Sequence, residues 1–285
     1  MTLTWFVVAA VLVGALLHAG WNTLVKSSTD KALDTALIHV LCSLMGIPLV
    51  LVFGLPPASA WPWIAASVAI HIGYYIALTE AYRHGDLGIT YPLMRGVAPL
   101  LVALSATMTV QEHLSVVSWF GVAGVCAGVL ALGLSVQALE QPRAVAFALA
   151  NAVIIAIYTV VDAMGVRVAI ESGGTAMQYV AALFLLDGWP FGLLVLYRRG
   201  FAVALPYARA RAPVAAVGAA ASIGSYGIAL WAMTRAPVAT VAALRETSVL
   251  FATMLGVVFL KEALTVRRAI GTAAILGGVI ALRFG

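Results

Sequence analysis

Residues 238–260 read VATVAALRETSVLFATMLGVVFL, and the only charged side chains in these 23 residues are the adjacent Arg245 and Glu246. A helix of this length rises by about 35 Å at 1.5 Å per residue. That rise exceeds the ~30 Å thickness of the hydrocarbon layer of a bilayer. The stretch therefore predicts a transmembrane helix that carries one charge of each sign near its middle.

Apolar runs of similar length fill nearly the whole chain. Of its 285 residues, 63% are hydrophobic and 9% are charged, and the mean hydropathy is +1.06, which excludes an ordinary soluble domain. Boundaries at charges, prolines and glycines predict ten spans, near residues 3–25, 33–54, 61–83, 87–110, 114–135, 144–167, 176–197, 213–234, 237–260 and 265–283. The short alternating segments of a transmembrane barrel are missing from the sequence. We therefore expect an all-α integral membrane protein that functions inside its helical bundle.

Lysine and arginine are unevenly distributed between the two sides of the predicted bundle. If the amino terminus lies on one side, called side A, then side A holds three of these residues and the opposite side B holds eleven. Cytoplasmic loops carry the basic excess in membrane proteins. We therefore expect a multi-pass protein of the inner (plasma) membrane with both termini outside. The net charge of +5 then reflects topology and not a nucleic-acid partner.

The second half of the chain resembles the first. A shift of 150 residues aligns 81–132 with 231–282 without a gap, and twelve of the fifty-two positions are identical. The identities include Arg95 with Arg245, Glu112 with Glu262, Leu114 with Leu264, Gly121 with Gly271 and Gly128 with Gly278. Because Arg and Glu are rare in this chain, their coincidence is stronger support for a repeat than the matches of apolar residues.

The repeat predicts the architecture of the bundle. Five helices per half is an odd number, so the second half enters the membrane from the opposite side to the first. We predict two inverted-topology repeats, residues 1–135 and 144–285, around a central cavity, as in secondary transporters. Small residues at four-residue spacing in GVAGVCAG (121–128) and GTAAILGG (271–278) favour close helix packing, with a dimer face as the alternative.

Three segments carry a resemblance to a known family. Two of them are apolar helices that each end in a glutamate before a short break, APLLVALSATMTVQEHLS (98–115) and SVLFATMLGVVFLKEALT (248–265). The third, LLHAGWNTLVKSSTDK (16–31), is similar to the first helix of many members of that family. They resemble the drug/metabolite transporter superfamily, and within it the EamA-type exporters. The resemblance implies ten helices in two inverted bundles and the export of small metabolites, with amino acids, aromatic ones included, a frequent substrate in bacterial relatives. It implies no catalytic signature.

Ionisable side chains at the bilayer centre identify candidate functional residues, since each costs about 2.5–3.5 kcal/mol to insert. Six lie within the predicted spans: Glu80, Arg95, Asp162, Asp187, Arg245 and Glu246. Position along the helices predicts ion pairs of Arg95 with Glu80 and of Arg245 with Asp162. In the alternative interpretation, the arginines only hold neighbouring helices together.

Arg245 and Glu246 indicate a substrate with both signs of charge. Adjacent residues on a helix point about 100° apart and cannot face the same partner, so we expect one of them to face a wet cavity. A zwitterion offers a carboxylate to an arginine and an ammonium group to a carboxylate. A small amino acid fits this pattern better than a sugar phosphate or a lipophilic cation.

Asp187, in FLLDGWPFG, has no evident partner in the sequence. Burial favours the neutral form of a carboxylic acid, so Asp187 is a candidate for proton coupling. The alternative is a structural acid that bonds to backbone groups at a helix break, which Gly188 and Pro190 indicate.

Aromatic and polar side chains complete the predicted binding site. His71, Tyr74 and Tyr75 begin a stripe along one face of helix three, and Trp21 and Asn22 form a similar patch on helix one. The predicted substrate-binding residues are His71, Tyr74, Tyr75, Arg95, Arg245, Glu246, Trp21 and Asn22.

The leading functional interpretation is a secondary active transporter that exports amino acids by alternating access. The alternatives are a multidrug exporter of lipophilic cations and a lipid flippase that depends on a partner protein. An intramembrane enzyme is disfavoured, because the sequence has no His-Glu-x-x-His pattern and no second acid that forms an evident pair with Asp187. We expect no cofactor and no metal; a small-molecule substrate and the lipid bilayer are the expected partners, and a monomer or a homodimer is equally compatible.

Overall fold

The computed structural model describes residues 3–26, 28–85, 87–133, 141–260 and 266–285. Their helices are α1 (Trp5–Lys26), α2 (Lys31–Phe53), α3 (Trp61–His84), α4 (Leu87–Thr109), α5 (Val116–Gly133), α6 (Pro142–Glu171), α7 (Ala176–Arg199), α8 (Phe201–Met233), α9 (Val238–Arg245), α10 (Ser248–Leu260) and α11 (Val266–Phe284). A single 3-10 turn, Ala58–Ala60, precedes α3. Glu262 and Leu264 of the sequence repeat lie outside the described residues.

The described helices fit a multi-pass membrane protein. Seven of them are long and apolar enough to cross a bilayer, namely those within Trp5–Val25, Lys31–Phe53, Ala58–His84, Thr90–Thr109, Pro142–Glu171, Ala176–Arg199 and Phe201–Met233. Shorter apolar helices fall at two further predicted spans, Val116–Leu132 and Ala269–Phe284. The prediction of an all-helical membrane protein is confirmed in this form, and ten crossings in two inverted repeats stay a prediction.

The helices pack in a small set of close pairs. The most extensive contacts join α5 to α11, α2 to α7, α3 to α6 and α1 to α8, and α4 packs on α5 and α6. In the first pair, a Cβ added at Gly128 would lie 2.7 Å from the carbonyl oxygen of Gly271, and one at Gly278 would lie 2.7 Å from that of Gly121. The small residues predicted to allow close packing are therefore used between α5 and α11 of one chain.

Helix α8 begins earlier than the sequence indicated. The charged segment 198–212 was predicted to be a connection, but α8 starts at Phe201. The structure explains the difference, because Arg211 forms a two-pronged ion pair with the buried Asp34 of α2 at 2.8 and 3.1 Å, and the Tyr207 hydroxyl donates to the same carboxylate. Contacts between helices thus hold as helix a segment whose basic residues and prolines are typical of a loop.

Helix α7 is continuous through Gly188 and Pro190, so the predicted helix break there was wrong. Gly188 serves a different purpose, which is the close approach of α7 to α2. Its N–H donates to the Ser43 hydroxyl at 3.0 Å, and an added Cβ would overlap the backbone carbonyl of His39. The glycine therefore places Asp187, its neighbour, directly against α2.

We expect Gly188→Ala to destabilise the folded protein by about 1–3 kcal/mol, because the methyl group must push α2 and α7 apart. Gly277→Ala in α11 is the matched control, since a Cβ at that position meets no atom within 4 Å. Thermal unfolding of the purified variants in detergent measures both. Equal unfolding temperatures for the two variants would contradict the close approach of α2 and α7.

Candidate functional site

A central cavity lies among eight of the described helices. It is lined by His18, Trp21, His39, His71, Tyr74, Tyr75, Arg95, Tyr158, Leu183, Phe184, Asp187, Ser222, Ser225, Tyr226 and Arg245. About 60 Å³ within it is open to the centres of water molecules. One water needs about 10–15 Å³ on this measure, so the cavity has room for a few waters in this conformation and must widen to admit an amino acid.

A break between α9 and α10 explains the adjacent charges Arg245 and Glu246. The N–H groups of Glu246 and Thr247 bond to the carbonyls of Ala243 and Leu244, three residues back, at 3.0 and 3.1 Å, and α10 begins at Ser248. The predicted single span 237–260 is therefore two helices. A helix favours a cation at its carboxyl end and an anion at its amino end, so each charge lies at the helix end that stabilises it.

Glu246 pairs with Arg95 of α4. The Nε–Oε2 distance is 2.8 Å and both side chains are buried. The predicted pair of Arg95 with Glu80 was wrong: Glu80 lies near the end of α3, 3.7 Å from Arg83 and 3.6 Å from His84. Glu80 is partly exposed there, whereas Arg95 points into the bundle, where it meets a buried acid.

Arg245 faces the central cavity without an acidic partner in the described part of the chain. Its guanidinium lies over the Tyr226 ring, 5.0 Å from the ring centre. The predicted pair of Arg245 with Asp162 was wrong, because Asp162 accepts hydrogen bonds from the hydroxyls of Tyr179 and Tyr226 instead. Tyr226 thus contacts the arginine with its ring and the acid with its hydroxyl, which leaves the guanidinium available to the cavity.

Asp187 has partners that the sequence did not identify. The Tyr75 hydroxyl donates to its Oδ2 at 2.7 Å and lies 2.9 Å from Nδ1 of His39. Nδ1 of His71 is 3.7 Å from Oδ1, the other oxygen. Tyr75 is held in place by stacking on Phe191, with ring centres 4.6 Å apart. The aromatic stripe of α3 therefore meets the acid of α7.

The structure brings most of the predicted site residues together. Those in the cavity wall are Trp21, His71, Tyr74, Tyr75, Arg95, Asp187 and Arg245. Asn22 lines a second, adjoining cavity and donates to the carbonyl of His18. Glu246 is turned toward Arg95 rather than into the central cavity. The role of these residues in substrate binding stays a prediction.

Several cavity residues were missed from the sequence. His39, Ser225 and Tyr226 line the cavity but are not among the predicted site residues. The aligned repeat, 81–132 with 231–282, does not reach Tyr226, and a continued shift of 150 residues places Tyr226 opposite Ile76. His39 has no signal in the sequence either, since its partners lie on α3 and α7.

Cavities lead from the centre toward side B. The adjoining cavity shares His18, Trp21, His39, Tyr74 and Arg95 with the central one. It shares Thr35, Leu78 and Tyr82 with a cavity of about 310 Å³ at the side B ends of α2, α3 and α7. The described residues thus outline a route from side B to the centre.

Polar contacts join several elements at side A. We call the four residues that make these contacts the side A clamp: Glu112, Arg167, Met233 and Val238. One Glu112 oxygen accepts from Arg167 at 2.7 Å, and the other accepts from the Val238 N–H at 2.8 Å. Arg167 also donates to the Met233 carbonyl at 3.0 Å. The clamp ties the connection after α4 to α6, to the end of α8 and to the start of α9.

Comparisons with known proteins bear on the family and the fold. The family model described as "EamA-like transporter family" matches residues 142–284. One solved crystal structure aligns with a TM-score of 0.73 at 22% sequence identity, over 96% of this chain and 97% of the other. No curated protein matches the chain significantly. At this identity, the solved structure shows a shared fold and nothing about substrate.

Proposed function

Because the chain belongs to the EamA-like transporter family, we propose that this membrane protein is a secondary active exporter of small zwitterions, amino acids above all, that works by alternating access. One observation carries the proposal. The central cavity contains a guanidinium without an acidic partner among the described residues, on Arg245, and a carboxylate oxygen without a hydrogen-bond partner, on Asp187.

These two groups match the two ends of an amino acid. A guanidinium binds a carboxylate through two parallel hydrogen bonds, and a buried carboxylate oxygen accepts from an ammonium group. Trp21, Tyr74 and Tyr158 give the same cavity an aromatic wall. Such a wall suits an apolar or aromatic side chain.

Ten crossings in two inverted repeats, residues 1–135 and 144–285, are part of the proposal. Support comes from the packing, with α9 and α10 counted as one crossing. If the two halves are equivalent, each crossing of one half corresponds to the crossing five places along in the other half. The α3–α6 pair then corresponds to α8–α1, and the α4–α6 pair corresponds to α9/α10–α1. All of these pairs are in contact. The same correspondence returns the α2–α7 and α5–α11 pairs to themselves. Inverted repeats that rock against each other are a general basis for alternating access.

The side A clamp is the proposed closed gate of this conformation, with side B open. We expect Glu112→Gln to favour opening toward side A, because a hydrogen bond to a charged group contributes about 1.5–3 kcal/mol, or roughly a tenfold to hundredfold change in the open fraction. Ser225→Cys in the cavity wall, in a background with Cys42 and Cys126 replaced by alanine, reports opening through its labelling rate with an impermeant maleimide on intact cells.

The matched control for the gate is Glu171→Gln, which makes the same chemical change at an exposed residue near the side A end of α6. We expect it to leave the labelling rate of the Ser225→Cys protein unchanged. Labelling that rises equally in both variants would attribute the effect to surface charge and not to the clamp.

Counterflow in proteoliposomes tests the proposed function. The purified protein is reconstituted with a high internal concentration of unlabelled amino acids, and the uptake of radiolabelled amino acids added outside is followed. We expect protein-dependent exchange of at least one of them. Exchange of a lipophilic cation, or movement of a fluorescent lipid, without exchange of any amino acid would instead support the multidrug or the flippase alternative.

A further inference from the structure

The carboxylate of Asp187 is incompletely satisfied. Its Oδ2 accepts from Tyr75, but its Oδ1 is buried and has no hydrogen-bond partner. In the described part of the chain no lysine or arginine pairs with it, because Arg95 is bound to Glu246 and Arg245 lies over Tyr226. A buried anion without a cation is costly. We therefore expect Asp187 to bind either a proton or a cationic ligand.

Two imidazoles flank this carboxylate. Nδ1 of His71 lies 3.7 Å from Oδ1, and Nδ1 of His39 lies 3.8 Å from Oδ2. At present His71 Nδ1 contacts the Ser67 carbonyl at 2.9 Å, and His39 Nδ1 contacts the Tyr75 hydroxyl at 2.9 Å. Both rings are therefore within a small rotation of the acid, one beside each oxygen.

No other described group around Asp187 supplies a paired positive charge in place of the proton. The titratable groups beside Asp187 are His39 and Cys42 on α2 and His71 and Tyr75 on α3. Elsewhere in the cavity wall lie His18 on α1, Arg95 on α4, Tyr158 on α6, Tyr226 on α8 and Arg245 on α9. His71 also interacts electrostatically with Asp162 on α6. Imidazole serves as a proton shuttle in many proteins. Of the three histidines in the cavity wall, His39 and His71 lie beside the carboxylate, whereas His18 accepts from Trp21. His39 also lines the adjoining cavity that leads toward side B.

We propose that Asp187, His39 and His71 form one protonation site, at which a proton and the ammonium group of the substrate alternate. This inference rests on the proposed export of zwitterions. To reach the proton-loaded state, a His71 imidazolium transfers its Nδ1 proton to Oδ1 of Asp187. The N–H bond breaks, an O–H bond forms, and the ring and the acid both become neutral. When an ammonium group arrives from side B, the acid returns that proton to a histidine, which releases it to cavity water.

The exchange gives export a source of energy. Protonation of Asp187 from side A removes the acceptor that holds the ammonium group, so the substrate leaves on that side. One proton then moves inward for each zwitterion that moves outward. Competition for one oxygen also fixes the sign of the pH effect: substrate binding weakens as pH falls, because the acid is increasingly occupied by a proton.

Proteoliposomes with an entrapped pH dye test the inference, with a radiolabelled mixture of the standard L-amino acids as the probe. For the native protein we expect amino-acid efflux to move protons the other way, and an apparent affinity in counterflow that weakens at least tenfold between pH 8 and pH 5.5. Asp187→Asn is expected to retain exchange with weakened affinity, to lose at least nine-tenths of the proton movement per substrate, and to lose the pH dependence.

Further variants separate the cluster from a general loss of folding. His71→Gln and His39→Gln should each lower the proton movement per amino acid transported more than the exchange rate, and Glu80→Gln, a titratable residue outside the cluster, should change neither. Net amino-acid efflux without proton movement in the native protein, or native proton coupling in Asp187→Asn, would overturn the inference and leave the proposed function standing. Failure to exchange any amino acid would overturn both.

Discussion

Replacing Arg245 with alanine is expected to lower amino-acid transport about thirtyfold or more, the largest functional effect of any single change in this protein. Removing one partner of a buried, hydrogen-bonded charge pair costs about 2–5 kcal/mol, and each 1.4 kcal/mol is roughly tenfold. Arg245 is the one arginine of the described cavity wall that forms no ion pair, because the neighbouring Glu246 pairs with Arg95. Without it, the substrate carboxylate would enter the cavity unpaired.

Arg245→Lys is expected to recover only part of the transport. An ammonium group keeps the charge, but it lacks the planar fork that holds a carboxylate by two bonds and stacks on an aromatic ring. The guanidinium of Arg245 uses that planar face against Tyr226. Counterflow rates over a range of substrate concentrations, measured on protein with native thermal stability, separate weaker binding from slower transport.

Arg235→Ala is the matched control for this prediction. Arg235 stacks on the Trp231 ring at 4.8 Å much as Arg245 stacks on Tyr226, but it is exposed near the side A surface. Its loss should leave transport within a factor of about two, the scale of a surface substitution. Equal losses in Arg235→Ala and Arg245→Ala would show that the stacking, and not the access of Arg245 to the cavity, explains the effect.

The helices of this protein were largely predictable, and the partners of its charges were not. Long apolar runs mark the spans because a lipid environment demands them. Arg95 and Glu246 are 151 residues apart in the sequence, and no rule of local spacing relates them. Asp187 likewise meets His39 and Tyr75 through the contact of α7 with α2 and α3, which only the tertiary packing determines.

The internal repeat also bears on how these charges pair. The position equivalent to Glu246 in the first half is 246 − 150 = 96, which is a glycine. The repeat therefore supplies two equivalent arginines but one glutamate at this depth, and the glutamate side chain can pair closely with only one of them. In the structure the glutamate pairs with Arg95, and Arg245 lies over Tyr226 and faces the cavity. The break at Glu246 and Thr247 was not predictable in the same way, because no proline or glycine marks it.

Separating Arg95 from Glu246 is expected to have the largest effect on stability. Both side chains are less than 9% exposed, and the pair joins α4 to the turn between α9 and α10. Breaking a buried pair by removing one partner costs about 3–5 kcal/mol, whereas replacing both with apolar residues is often neutral. We therefore expect Glu246→Leu and Arg95→Leu to unfold at clearly lower temperatures than the native protein, and the double variant to recover most of the loss.

A double-mutant cycle on Arg83 and Glu80 is the control for this pair. Arg83 is 74% exposed and lies 3.7 Å from Glu80 on the same helix, so its coupling energy should be about 0–1 kcal/mol. Comparable coupling in the two cycles would contradict the buried pair. Transport by the double leucine variant then separates function from stability. If the variant folds normally but does not transport, the two charges serve transport itself, because an apolar contact still holds α4 to the α9–α10 turn but offers no charge to the cavity, which Arg95 lines.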